Sequence, residues 1–167
     1  MRAYQKVIKD ISAEKRVYLD ESGFQNYYER EYGYAPKGEK VFGKVAGRKY
    51  ARTNLIAARV GDRLIAPMYY NRNTDSTVFE LWFERQLTPL LRPGDVVIMD
   101  NASFHRKTKL YEIAERHHIR ILFLPPYSPE LNPIEKTWAN IKRWLRKNLR
   151  FYSSFEDALQ AAIEFYS

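Results

Sequence analysis

The chain contains no cysteine. That excludes disulfide frameworks, thiolate metal centres and cysteine nucleophiles, and it suits a reducing compartment. No apolar run approaches the roughly 20 residues that a membrane-spanning helix needs. The first ten residues, MRAYQKVIKD, lack the apolar core of a secretory signal. A cytoplasmic, membrane-free protein is expected. There is no internal repeat, low-complexity tract or obvious linker, so residues 1–167 are read as one domain, long enough to bury a core without staples. Acidic residues are the minority charge. Twenty Asp and Glu face 28 Lys and Arg, for a net charge of +8, a pI near 9.6 and a mean hydropathy of -0.56. With 13 Tyr and 3 Trp, such a chain suits a polyanionic partner, because cations neutralise phosphates and rings stack on bases. Many basic domains bind no nucleic acid, so charge alone does not decide.

Periodicity supplies the element order. Residues 16–20 alternate, with Val17 and Leu19 on one face and Tyr18 and Asp20 on the other, which predicts a strand ending at Gly23. An irregular stretch follows, with turn chemistry at Pro36-Lys37-Gly38 and Gly47-Arg48. Residues 55–60 and 64–70 are apolar runs joined through Gly61-Asp62, a hairpin signal, and Pro67 argues for an edge position. Residues 74–90 read as a helix through Val78, Leu81, Trp82 and Phe83, stopped by Pro93-Gly94. Residues 96–99 are continuously apolar, as in a strand covered on both faces. A helix is expected over 107–118, a second buried strand over 119–124, and helices from Asn132-Pro133 to about 147 and over 155–165. Three strands followed by alternating helix and strand predict a mixed α/β sheet, the first three strands antiparallel and the later ones parallel.

Three acids stand out. Asp100 closes the 96–99 strand, at the edge where α/β sheets place ligands, although an Asp before Asn is also a common turn former. Asp20 shares a face with Tyr18; between covered faces it needs a cation or hydrogen bonds, and a salt bridge would serve. Glu135 stands third in a helix begun by Asn132-Pro133, so it could close a capping box onto the Asn132 amide. Ile134, Trp138, Ile141 and Leu145 form the apolar stripe of that helix, and Glu135, Ala139, Lys142 and Arg146 lie on a flank roughly 90° round. Lys142 and Arg146 read either as phosphate contacts or as a solvated basic face. Gathered carboxylates suit Mg²⁺, which takes oxygen ligands, keeps several waters and completes its octahedron on phosphate; two such ions can serve an in-line phosphoryl displacement.

The surroundings of these acids are more specific. YLDESGF at 18–24, VIMDNASFH at 97–105 and LPPYSPELNPIEKTWANIKRWLR at 124–146 closely resemble the motifs of DDE transposases, especially the insertion-sequence branch related to mariner elements. Thirty-four residues separate Asp100 from Glu135, the spacing associated with that branch. The resemblance covers about residues 16–147. It implies an RNase H-like fold, a mixed five-stranded sheet with its last two strands parallel to the first and helices on its flanks. It implies Asp20, Asp100 and Glu135 as catalytic metal ligands for Mg²⁺, two ions with Mn²⁺ able to substitute. Asn101 and His105 match polar residues that orient ligands or touch phosphate. Ser128, Pro129, Asn132 and Pro133 match the segment that positions the last acid. The implied chemistry is phosphodiester hydrolysis at transposon ends and transfer of the freed 3′-hydroxyl into target DNA. The implied partners are DNA and a second copy of the chain on DNA, in a prokaryotic, nucleoid-associated setting. Full transposases of this kind carry helix-turn-helix domains before the catalytic domain, and about 15 residues before the first strand cannot form one, so end recognition is expected to lie elsewhere. Two alternatives stand beside this reading: an RNase H-like nuclease without strand transfer, and an inactive DNA-binding remnant.

Overall fold

The alternation that begins at Arg16 builds β1 (Arg16–Gln25), the strand on which the sheet is organised. In the computed structural model, which describes residues 2–25, 52–71, 75–102 and 105–167, β1 pairs antiparallel with β2 (Arg52–Val60) and parallel with β4 (Val96–Met99). β3 (Arg63–Tyr70) adds antiparallel to β2, and β5 (Arg120–Phe123) adds parallel to β4. The resulting order is β3-β2-β1-β4-β5, the mixed five-stranded sheet expected from the sequence. The turns proposed at Pro36-Lys37-Gly38 and Gly47-Arg48 lie outside the described residues, as does Thr74.

Helices cover both faces because the strands are apolar on both. Val17 and Leu19 of β1, with Val97 and Met99 of β4, pack against α2 (Ser76–Trp82), the turns that follow it, and α3 (Lys107–Arg116). On the opposite face, Phe24, Leu55, Ala57 and Leu64 pack against α4 (Ile134–Asn148) and α5 (Phe155–Tyr166). Tyr4 of α1 (Arg2–Lys9) and Ile11 cover Val96 and Ile98. The stripe Ile134, Trp138, Ile141 and Leu145 is buried as its spacing predicts.

Four local expectations need correction. β1 does not stop at Gly23 but runs to Gln25. Gly23 pairs with Asn54, and a Cβ there would collide with the Arg52 guanidinium, so the glycine admits a crossing side chain rather than ending the strand. The residues 74–90 do not form one helix. α2 ends at Trp82, loosens into i→i+5 bonding over Phe83–Leu87 and tightens into a 3₁₀ turn over Thr88–Leu90; Pro89 has no N–H with which to continue an α-helix. Its inward face is Phe79, Trp82 and Phe83, whereas Val78 and Leu81 are exposed. Finally, β5 is an edge strand, half-buried rather than buried, since among the described residues no strand pairs beyond it. The edge position of β3 is as Pro67 predicts. A register shift opposite Ala57 and a positive φ at Ala66 accommodate the proline in a bulge.

Candidate active site

The parallel register of β1 and β4 decides where the first two acids meet. Pairing runs through Tyr18 and Ile98. Two residues further along both chains, Asp20 and Asp100 therefore stand at the same level, where β4 has ended and β1 continues only beside β2. α4 crosses this face and brings Glu135 from the other side. The three carboxylates line a single cleft of about 410 Å³ with Asn101, Asn132 and the loop Leu124–Pro129.

Each acid is held differently. Asp20 is half-buried, and the indole N–H of Trp138 donates to its Oδ2 at 3.0 Å. Its pKa is pushed up to about 7, chiefly by burial and further by the charges of Glu135 and Asp100; the Glu21 amide and the Trp138 indole pull the other way. Asp100 is open, with 61% of its side chain exposed, but His105, only 2% exposed, donates from Nε2 to Asp100 Oδ1 at 3.3 Å. That imidazole packs on Phe79 at 4.3 Å between centroids. The next residue, Arg106, grips the buried Glu80 of α2 through two bonds of 2.6 Å. The His105-Arg106 pair is thus clamped from α2, and the clamp reaches Asp100.

Glu135 does not close a capping box. The Asn132 amide donates to Pro129 O at 3.0 Å, so it is already used. The Asn132 side chain turns inward, Nδ2 donating to Leu19 O at 3.3 Å, and its Oδ1 is buried with no partner. α4 starts without a side-chain cap. Asn132 instead ties the helix start to β1 one residue before Asp20. Arg59 of β2 secures the same turn, donating to Pro133 O at 2.7 Å and Thr137 Oγ1 at 3.1 Å. Glu135 is left exposed, facing the cleft.

The cleft therefore contains seven of the residues singled out in the sequence, Asp20, Asp100, Glu135, Asn101, Ser128, Pro129 and Asn132, with His105 just behind. Lys142 and Arg146 lie farther along α4 and do not line it. Lys142 is half-buried with Nζ 5.3 Å from the Phe24 ring centroid, while Arg146 is exposed. Sequence reasoning missed Arg59, Phe79, Glu80 and Arg106, whose partners are far away in sequence. It also missed the use of Trp138, placed in the core stripe without asking where its N–H goes; a buried indole needs an acceptor, and that was the available signal. The donor set is all oxygen, which suits a hard divalent cation. Cations between the carboxylates would also relieve the repulsion that adds to the effect of burial on Asp20. Among the described residues no three acidic or histidine side chains are gathered closely enough to hold one ion together.

The mixed five-stranded sheet with helices on both faces is an RNase H-like fold. The chain belongs to the DDE superfamily endonuclease family, whose model matches residues 15–158. It is 38% identical over 63 residues to the uncharacterized protein y4pE/y4sA of Sinorhizobium fredii, covering 37% of this chain and 43% of that protein. It is 33% identical over 76 residues to the transposable element Tcb2 transposase of Caenorhabditis briggsae, covering 43% of this chain and 28% of that one. Among solved structures, the Mos1 transposase paired-end complex with left transposon end superposes with a TM-score of 0.73 at 15% identity, over 99% of this chain and 51% of that one. Mos1 paired-end complexes with Mn and with Mg match at 0.62 and 0.63. At such identities these likenesses define the fold. The chain spans less than half of either curated relative and about half of the transposase.

Proposed function

We propose that the chain is the cutting and joining part of a transposase. It would hydrolyse a phosphodiester at a transposon end and transfer the freed 3′-hydroxyl into target DNA, with Asp20, Asp100 and Glu135 as the metal-holding carboxylates. The observation that carries this reading is the convergence of those three acids, from β1, the end of β4 and α4, on one cleft. Two Mg²⁺ ions, or Mn²⁺ in their place, would supply activation of the attacking oxygen and stabilisation of the leaving one in an in-line displacement. The relative solved with each of those metals supports this choice.

The chain's own residues do the positioning. Trp138 donates to Oδ2 of Asp20 and, with the Glu21 amide, fixes the carboxylate that lines the cleft. His105 fixes one oxygen of Asp100 in the same way. Asn101, exposed beside Asp100, and Asn132, behind Glu135, complete the polar lining. Lys142 and Arg146 extend the α4 flank as contacts to the DNA backbone, where each neutralised phosphate adds affinity without sequence preference. Two ends must be cut and joined together, so a second copy of the chain on DNA is part of the proposal, as is end recognition by a helix-turn-helix module.

A pre-cut transposon end incubated with target plasmid and Mg²⁺ tests it. Joined product that disappears with Asp100→Ala supports the reading. Cleavage with no joined product would favour a nuclease without strand transfer.

A further inference from the structure

The loop from β5 to α4 contains a residue placed against its own preferences. Tyr127 has φ = +55°, in the left-handed region that glycine and asparagine occupy cheaply and a tyrosine does not. Its side chain is fully exposed, so no burial of the ring offsets that strain. The flanks are fixed. Pro125 and Pro126 lock their own φ angles, Leu124 and Ser128 are buried, and Ser128 Oγ donates to Pro126 O at 3.2 Å. A rigid loop thus projects one bare aromatic ring at the rim of the cleft that Asp20, Asp100 and Glu135 line. Strain of this kind persists only where the surrounding structure holds it, and it clusters at active sites and ligand clamps.

We propose that Tyr127 is a stacking platform for an unpaired DNA base next to the scissile phosphodiester, a role that rests on the DNA-cutting reading above. A fixed ring in water offers a flat apolar face at little entropic cost, and stacking on it tolerates any base. It would hold the strand end in place while the neighbouring phosphate lies among the carboxylates.

The test uses duplex oligonucleotides, fully paired or with a short overhang carrying 2-aminopurine, whose fluorescence falls on stacking. Wild-type chain and Tyr127→Trp should quench the overhang signal. Tyr127→Asn, which suits the left-handed backbone, should abolish the quench and weaken overhang binding about tenfold. Its affinity for fully paired DNA should change less than about twofold, because phosphate contacts dominate there, and its melting temperature should hold or rise. Unchanged quenching and affinity in Tyr127→Asn would overturn the stacking role. So would a clear fall in melting temperature, which would make the ring structural. If wild-type chain bound neither DNA, the DNA-cutting reading itself would fail, and this role with it.

Discussion

Asp20 and Glu135 face the same cleft from supports of opposite kinds. Asp20 sits within the longest described strand, half-buried, bonded to an indole and pushed toward neutrality by its surroundings. Glu135 sits on the first turn of a helix, exposed and excluded from the capping bond its sequence position invites. Burial fixes the first carboxylate at a cost in stability. Exposure leaves the second free to adjust at almost no cost. On the proposed function, a cleft that gathers charge around cations and phosphate would use both, a fixed carboxylate and an exposed one. The fold supplies the first from its sheet and the second from its helix.

The largest effect is expected at Asp20. Its pKa is about 7 in the folded chain against an ordinary 3.8. Below pH 4 the carboxyl is protonated whether folded or unfolded, and it costs nothing. As pH rises from about 4 to 7, the unfolded chain ionises first, so stability falls, and above 7 the full cost persists. Asp20→Asn keeps an oxygen for the Trp138 indole and removes the charge. In chelator it should stabilise the chain by roughly 2–4 kcal/mol at pH 8 and not at pH 4, while abolishing nicking. Chemical denaturation at the two pH values checks this, and equal stabilisation at both would show that charge is not the cause.

Trp138→Phe sharpens the same contrast. It retains most of the buried ring but loses the bond to Asp20, costing about 1 kcal/mol. If the indole orients Asp20, half-saturation by Mn²⁺, followed by electron paramagnetic resonance, should move to higher concentration. An unchanged curve would reduce the indole to packing. The smallest effect is expected along α4. Lys142→Gln and Arg146→Gln should each lower the slope of log affinity against log salt by about 1 and weaken binding alike across sequences; Lys142, already resting on Phe24, should lose the more in stability.

The same two acids show how far sequence reaches. Strand alternation around Asp20, the Gly61-Asp62 hairpin and the apolar run before Asp100 are local patterns, and the structure follows them. The long motif around Glu135 placed its helix and its stripe within a residue. What failed depends on partners distant in the chain. Gly23 reads as a stop until Arg52 crosses it. Val78 and Leu81 read as core until the sheet selects Phe79 instead. Asn132 reads as a cap until the Leu19 carbonyl claims its side chain, 113 positions away. No spacing rule carries that information, because each outcome is a competition settled by tertiary contacts.

That last case makes Glu135→Gln the most direct measurement. Glutamine suits a capping box as well as glutamate does, so a capping role would survive the change. The account predicts that Mg²⁺-dependent plasmid nicking collapses while stability stays within about 0.5 kcal/mol, as for an exposed substitution. Retained nicking would contradict the assignment of Glu135 to the cleft's chemistry.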